Sequence, residues 1–388
     1  MANLATMYQI ISAAESKVEI LAQIEAVVLP AIVQTMEKQM AELLDDTLDL
    51  ADMLTFYQKS ISPGMWNVFE MMHAAFTQWA PDYLTEMTSL FNNLLTFGSD
   101  TFRNNPRYRA MLLEIFAHAT QNPNMSPADH IAAYKLADVM LLTLKGYYDQ
   151  ELPSILDTVL PSATGSVKPA PDAKVRKWAE VVVLDALIYN PQLTLQILES
   201  KAATGAFLDG IAGRVEAYSR VHECRACICA LINLLAIPPT SMPASVQQRA
   251  PRILGTLIVH LANMPAIVRK RKELVDILED VDSDDEDDFG VEVDGEGVDQ
   301  DFGDGDVHDK ENEYLEMLAA QATKLKSNFG TKPEGAEEEE EEEEEEIDDD
   351  DEDDDAVSDS RKCCFAAVSE NSSLTNVSIC SSRQGTDL

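Results

Sequence analysis

The chain has little positive charge. Its 388 residues include 29 Lys and Arg against 69 Asp and Glu, which gives a formal net charge of −40 at pH 7. A field of this sign repels nucleic acid and anionic lipid, whereas it attracts basic proteins. We therefore expect a protein that binds basic partners, with no nucleic-acid binding and no membrane insertion.

The motifs of common enzyme classes are also missing. Only six His occur, and none stands in a His-Glu-x-x-His metal spacing. There is no Gly-x-Ser-x-Gly nucleophile elbow, and the stretch GAFLDGIAG (205–213) lacks the Lys-Ser/Thr ending of a phosphate loop. We predict a protein that is not an enzyme and needs no cofactor, with an α-helical enzyme as a formal alternative only.

Cysteine is scarce, with six in the whole chain, and the opening MANLATMYQI has neither the basic region nor the cleavage site of a secretory signal. A reducing compartment with free thiols is therefore expected. Cys224, Cys227 and Cys229 lie close to His222, but a zinc site needs four ligands, usually from two separated pairs. The other three lie far along the chain, at Cys363, Cys364 and Cys380. Packed thiols are therefore favoured over a metal site.

The charge divides the chain into two parts. Residues 1–278 hold 28 acidic and 22 basic residues, a net charge of −6, whereas residues 279–388 carry a net charge of −34. The second part lacks the apolar residues needed to offset chain entropy. We predict a folded body over 1–278, an acidic disordered loop over 279–309, a short docking helix over 310–326 and an acidic, disordered tail over 327–388.

The body has apolar residues at three- and four-residue spacing in one segment after another, which predicts helices. The prolines that stand ahead of these segments are Pro63, Pro81, Pro106, Pro127, Pro153, Pro171 and Pro191. Four of them follow a Ser or Asn that can cap a helix. Any two successive intervals between these prolines together span 38 to 47 residues. This agrees with the length of a HEAT or armadillo repeat, roughly 40–47 residues. An irregular all-α globule would explain the helices but not this spacing. We predict an all-α solenoid of HEAT-like helical hairpins.

The longest apolar stretch lies at the end of the body, at 253–268. It contains His260 and Pro265 and is too short for a transmembrane helix, so we expect a buried helix. The run RKRK (269–272) follows it. A nuclear localisation signal or an anion contact is one interpretation of this run. We favour the solvated end of the last body helix, where cations suit the helix dipole, together with pairing to the acidic tail.

The acidic loop contains the candidate sites for partner binding and modification. The stretch DQDFGDGDVHDKE (299–311) misplaces the Gly of an EF-hand and lacks flanking helices, so no dedicated calcium site is expected. Ser283 has acids at the next three positions, which favours an acid-directed kinase. The candidate contacts for basic protein partners are the five acids that follow it, Asp284, Asp285, Glu286, Asp287 and Asp288.

One amphipathic stretch interrupts the acidic region, KENEYLEMLAAQATKL at 310–325. Its apolar residues Leu315, Leu318, Ala322 and Leu325 share one helical face, with Tyr314 beside it. A free helix of about fifteen residues is marginal in water, so this face needs a partner. The simplest interpretation is a nascent helix without a role. We favour intramolecular docking on the last repeats through Tyr314, Leu315 and Leu318.

Five blocks of sequence follow one another in a recognisable order. They are SPGMW (62–66), PDYLTEMTSLFNNLLTFGSDTF (81–102), ALIYNPQLTLQILES (186–200), VHECRACICALINLLAIPP (221–239) and, after an acid run, EYLEMLAAQA (313–322). In this order they resemble the C-terminal part of the importin-β superfamily, specifically its importin seven/importin eight branch. The Tyr-Asn-Pro-x-Leu block and the order of acid run and EYLEMLA are the more specific features.

The resemblance implies a non-enzymatic nuclear transport receptor of the cytoplasm, the nucleus and the nuclear pore. Its implied partners are basic cargo such as histones and ribosomal proteins, Phe-Gly nucleoporins, Ran-GTP and importin-β. The N-terminal arch of the family, which holds the Ran-binding repeats, has no counterpart in this sequence, so we expect the end of a longer array. An acidic HEAT-repeat chaperone or scaffold that shields basic proteins without shuttling is the alternative.

Overall fold

A computed structural model of the chain describes the backbone of residues 2–168 and 171–281, and the side chains of 6–168 and 171–272. These residues form helices and connecting turns, with no β-strand among them. The α-helices are α1 (Ala2–Ala13), α2 (Val18–Glu37), α3 (Leu44–Gln58), α4 (Pro63–Gln78), α5 (Leu84–Phe97), α6 (Ser99–Asn104), α7 (Pro106–Gln121), α8 (Pro127–Thr143), α9 (Leu152–Thr164), α10 (Ala173–Tyr189), α11 (Pro191–Ser200), α12 (Thr204–Ala212), α13 (Val221–Leu235), α14 (Ala244–Gln247) and α15 (Ala250–Val281). Short 3₁₀ turns occupy Ala41–Leu43, Pro81–Tyr83 and Val215–Ala217. The all-α prediction is confirmed.

The four predicted caps are all present. Helices α4, α7, α8 and α11 begin at the proline itself, and the preceding Ser or Asn accepts a hydrogen bond from a backbone N–H of the first turn. Ser126 and Asp129 form a complete capping box at α8, with each side chain bound to the backbone of the other residue. A backbone N–H at the first helical position has no partner within the helix. Proline, which has no N–H, therefore suits this position. These prolines therefore place the helix starts.

The helices form two layers. One layer consists of α1, α3, α5, α8, α10, α13 and α15, each packed on the next, while α2, α4, α7 and α9 pack across onto α3, α5, α8 and α10. Helices α8 and α10 lie in the middle of their layer, and α10 buries residues on every side, including Glu180 and Asp185. A helix that is apolar all round is expected where neighbours cover every face. This two-layer stack is the arrangement that the solenoid prediction requires.

Hydrogen bonds between successive repeats record the period of the stack. Side-chain bonds of this kind join residues 33 to 46 positions apart. For example, the Tyr83 hydroxyl donates to the carbonyl of Ala41, 42 residues earlier. The Asn93 amide donates to the carbonyl of Asp52, 41 residues earlier. Because each repeat touches its neighbours, equivalent positions meet at one repeat length. The proline spacing of 38 to 47 residues and these bonds report the same period.

Helix α15 differs from its prediction in two ways. The helix exists, but from Leu261 to Lys272 no residue is buried, so the expected buried helix is wrong for its second half. The basic run 269–272 was also expected at the helix end, yet the helix continues to Val281. In the sequence, Glu273 and Asp276 follow Arg269 and Lys272 at four-residue spacing, which favours continued helix. The dipole argument for the basic run therefore fails.

Two of the described helices, over Val18–Glu37 and Ala250–Lys272, are long and apolar enough to cross a bilayer. Length alone therefore does not exclude a span at α15, contrary to the expectation from the 16-residue stretch 253–268. Helix α2 buries Leu21, Val28 and Ile32 in the stack, as the core helix of a folded domain does.

Candidate interaction surfaces

The sequence-predicted site residues lie outside the described part of the chain. They are Ser283, Asp284, Asp285, Glu286, Asp287, Asp288, Tyr314, Leu315 and Leu318. The predicted loop, docking helix and tail that contain them lie outside it as well. The surfaces that the structure does describe belong to the body.

A buried carboxylate organises the junction of α10 with the turn before α13. Glu180 is 1% exposed, and the hydroxyl of Tyr218 donates a hydrogen bond to its Oε2 at 2.7 Å. Arg176, one turn earlier on α10, places its Nε 3.4 Å from Oε1, and Arg214 forms an ion pair with the same oxygen. Burial raises the pKa of Tyr218, so its hydroxyl stays a donor at neutral pH. Arg176 on α10 and, 34 and 38 residues beyond Glu180 in the chain, Arg214 and Tyr218 thus compensate the negative charge of Glu180 from two different repeats.

A second buried pair lies beside the first. The Nζ of Lys177 is 2.5 Å from the Oε1 of Glu223, which has no exposed surface. Trp178 stacks on His222 with ring centroids 5.4 Å apart, and the ammonium of Lys135 lies 5.2 Å from the Trp178 ring. Together these contacts join α8, α10 and α13 through polar groups. Sequence inspection missed them, although a charged residue within an apolar run such as WAEVVVLD (178–185) is the signal that indicates buried ion pairs.

The three described cysteines are packed thiols, as the sequence predicted. Cys224, Cys227 and Cys229 are buried and none of the three forms a disulfide, and no metal-binding group of three or more His, Cys, Asp or Glu occurs in the described part of the chain. Cys224 Sγ lies 3.4 Å from Nδ1 of His260 on α15. Burial raises the pKa of Cys224 to about 11 and lowers that of His260, which favours a neutral thiol beside a neutral imidazole. The pair therefore packs α13 against α15 and provides no activated nucleophile.

An arginine pair fixes the start of α15. The guanidinium of Arg249 donates to Oδ2 of Asp209 on α12 at 2.9 Å and 3.1 Å, and Arg252 donates to Oδ1 at 2.9 Å. The hydrogen bond from Arg249 and the positive charge of both arginines lower the pKa of Asp209. The first turns of α15 are therefore held on the stack, in contrast to its second half.

The outer face of α15 is an exposed apolar stripe. Leu254, Ile258, Leu261 and Val268 follow one another at intervals of four, three and seven residues, which places them on one side of the helix. Their exposures are 49, 56, 50 and 47%. The opposite side of the same helix buries Ile253, Leu257 and His260. We call these four residues the outer stripe; the basic run 269–272, whose residues are exposed, follows directly after it.

Charge is uneven along the body. Residues 1–170 contain 19 acidic and nine basic residues, a net charge of −10, whereas residues 171–272 contain seven acidic and 13 basic ones, a net charge of +6. The strongly acidic part of the chain therefore begins next to the basic end of the stack.

The first block of the resemblance, SPGMW (62–66), occupies packing positions. Ser62 caps α4 and its hydroxyl also bonds to Glu25 on α2. A side chain on Gly64 would collide with Leu29, since a Cβ there would lie 2.2 Å from Cδ2. Trp66 stacks on Tyr108 of α7. These residues hold repeats together, so this block marks the fold rather than a ligand site.

Comparison with known proteins agrees with this fold. Importin-8 from Danio rerio is 27% identical over 280 residues, which cover 69% of this chain and 26% of that protein. Importin-8 from Homo sapiens is 30% identical over 264 residues, 66% of this chain and 25% of the relative. A probable importin-7 homolog from Dictyostelium discoideum is 22% identical over 218 residues, covering 56% of this chain and 20% of its own length. Together these similarities support membership of the importin-β superfamily. No family model and no solved structure matches it.

The chain spans about a quarter of the length of these importins. The names of these relatives are those of importins.

Proposed function

We propose that this chain is the cargo-bearing part of an importin-type nuclear transport receptor that carries basic proteins, such as histones or ribosomal proteins, through the nuclear pore. It acts by multivalent binding and without catalysis. Ran-GTP drives cargo release in the whole receptor, and Phe-Gly nucleoporins and importin-β are its further partners. The chain moves between cytoplasm and nucleus. Its similarity to importins over two thirds of its length is the observation that carries this proposal.

Electrostatics supports basic proteins as the cargo. The chain carries a net charge of −40, and 41 of its 69 acids lie in residues 279–388. Several closely spaced carboxylates attract a basic partner from a distance and increase its association rate, an effect that salt weakens. We assign the cargo contact to the acids Asp284 to Asp288, which follow the basic end of the stack in the sequence.

A charge-matched pair of variants tests this assignment. In one variant, Asp284, Asp285, Glu286, Asp287 and Asp288 become the corresponding amides. In the control, the same five charges are removed from the glutamate run by replacing Glu337–Glu341 with Gln. Both variants have equal net charge, so a larger loss of histone affinity in the first assigns the contact to residues 284–288. Equal losses would show that only total charge matters, and the assignment would then be wrong.

A second experiment tests the transport function through the binding of nucleoporin repeats and Ran-GTP. Pull-downs with Phe-Gly repeats and with Ran-GTP are made with this chain and with a full-length receptor that contains it. We expect nucleoporin and Ran contact with the full-length receptor together with cargo contact. If the full-length receptor binds cargo but neither Phe-Gly repeats nor Ran-GTP, the result would support an acidic chaperone or scaffold instead. The net charge of −34 in residues 279–388 is enough for that function.

A further inference from the structure

We propose that the arginines gathered around α12 form a binding site for the phosphate group of a small molecule. Four arginines lie against this helix, and we call them the arginine surface: Arg176 on α10, Arg214 in the turn that follows α12, Arg249 just before α15 and Arg252 on α15. The inference goes beyond the proposed transport function and does not depend on it.

Glycines bring the guanidinium groups close to the backbone of α12. A Cβ on Gly205 would lie 2.8 Å from Nη2 of Arg249. A Cβ on Gly210 would lie 3.6 Å from Nη2 of Arg176 and 3.8 Å from Nη2 of Arg214. At these two positions α12 has no side chain that could cover the arginines. The side chains of the arginine surface keep between 28 and 52% of their area exposed, so a small ligand can reach them.

Positive charge is in excess on the arginine surface. Its four guanidinium groups pair with only two carboxylates, those of Glu180 and Asp209. The C-termini of α9 and α12 also lie beside it, because the glycines that follow these two helices each stand next to one of the arginines. Each C-terminus contributes about half a negative charge, so a surplus of about one positive charge remains. At an ionic strength of about 0.1 M, charges more than about 10 Å away are largely screened. The local surplus therefore outweighs the negative net charge of the whole chain.

The arginines differ in how many of their hydrogen-bond donors are used. The two arginines at the start of α15 donate to both carboxylate oxygens of Asp209 and to backbone carbonyls. In the described part of the chain, Arg176 and Arg214 contact a single carboxylate oxygen, Oε1 of Glu180. The other oxygen of Glu180 accepts the hydrogen bond from Tyr218. Because each guanidinium group has five N–H donors, Arg176 and Arg214 keep donors for a ligand.

A phosphate group has the charge and the shape that this pair of arginines requires. Arg176 and Arg214 contact the same oxygen, so their positive charges lie close together and repel each other. Phosphate carries close to two negative charges at neutral pH, and guanidinium groups bind it through two parallel N–H···O bonds. A simple carboxylate ligand brings one charge only. We therefore expect the site to prefer phosphate to acetate.

Phosphorus-31 NMR of inorganic phosphate, mixed with the full chain at constant ionic strength, tests the proposal. The parent protein should broaden the phosphate resonance in a saturable way, and acetate should not displace the phosphate. Arg176→Gln and Arg214→Gln each leave Glu180 with one arginine. Each should weaken binding by about tenfold or more, as the loss of hydrogen bonds to a charged group predicts. Circular dichroism checks that both variants fold.

The matched control is Arg107→Gln. Arg107 is another partly exposed arginine, but it pairs with a carboxylate of its own, that of Glu70. This change should leave the phosphate affinity unaltered. Absence of saturable broadening with the parent protein would overturn the proposal, as would an equal loss of affinity in the Arg107 variant.

Gly210→Asp provides a test that keeps every arginine in place, and it decides the matter if a glutamine variant fails to fold. A carboxylate at this position lies beside Arg176 and Arg214 and should abolish phosphate binding. Phosphate binding that persists in this variant would contradict the proposed site. Inositol hexakisphosphate then distinguishes two forms of the ligand. Binding much tighter than that of inorganic phosphate would support contact of several phosphates with all four arginines, whereas equal affinity would support a single phosphate.

Discussion

The hydroxyl of Tyr189 accepts a hydrogen bond from the backbone N–H of Tyr148 at 2.8 Å, across 41 residues of sequence. Tyr148 lies just before α9, and Tyr189 is the last residue of α10. The bond therefore ties the turn between two repeats to the helix of the next one. Bonds of this kind help to hold neighbouring repeats in position, because each repeat contacts only its neighbours.

Replacing Tyr189 with Phe removes this acceptor while keeping the ring. The buried N–H of Tyr148 is then left without a partner, which costs about 1–3 kcal/mol of unfolding free energy. Urea unfolding of the two proteins measures the difference. Tyr147→Phe is the matched control, since that ring is 41% exposed, and it should change stability by less than about 0.5 kcal/mol. Equal stability of the Tyr189 variant and the parent would show that the bond contributes nothing.

Glu180 should be far more sensitive to substitution than a surface carboxylate. Glu180→Ala removes the shared partner of Arg176, Arg214 and Tyr218 and should cost about 3 kcal/mol, the lower end for a broken buried pair, because both arginines stay partly hydrated at 30% exposure. Glu114, which pairs with His73 and is 62% exposed, is the comparison. Its change to Ala should cost less than about 1 kcal/mol. Chemical denaturation that gives similar losses for both variants would contradict the role of the buried cluster.

Stability should decrease when the pH falls below about 6.5. Burial lowers the pKa of His260 and of His130 in the folded protein, while in the unfolded chain a His titrates near 6.5. The unfolded state therefore binds more protons on acidification, so the stability that neutral imidazoles provide is complete above about pH 6.5 and is lost below it. Cys224 and Tyr218 contact His260, and raised pKa values keep both neutral in this range.

Unfolding midpoints at pH 7.5, 6.5 and 5.5 measure this effect. Between pH 6.5 and 5.5 each His can contribute at most about 1.4 kcal/mol. The double substitution His260→Gln and His130→Gln should flatten that part of the curve. An unchanged slope would mean that neither His changes its proton affinity on folding.

The buried thiols should be inert in the folded protein. In a variant with Cys363, Cys364 and Cys380 replaced by Ser, only the thiols of α13 remain. A pKa of about 11 leaves roughly one Cys224 in a thousand as thiolate at pH 8. Ellman's reagent should therefore label no thiol within minutes under native conditions and three after denaturation. Fast labelling of the native protein, or its suppression by zinc, would contradict packed thiols.

Local sequence signals were sufficient for the repeat architecture. The helix starts at Pro63, Pro106, Pro127 and Pro191 follow from caps that act within one turn, and the repeat length follows from their spacing. The partners of Glu180 could not be predicted, because Arg214 and Tyr218 lie 34 and 38 residues further along the chain. Only tertiary packing brings them into contact with Glu180. The exposure of Leu254 and Leu261 was missed for a similar reason. An apolar pattern identifies a helix face but does not say which neighbour covers it.

Titration of a histone into the parent chain at several salt concentrations, beside the two charge-matched variants, tests the proposed carrier of basic proteins. We expect histone binding that weakens as the salt concentration rises. Removing the charges of Asp284–Asp288 should reduce the affinity and its salt dependence more than removing the charges of Glu337–Glu341. Absence of histone binding by the parent chain at low salt would contradict the proposal.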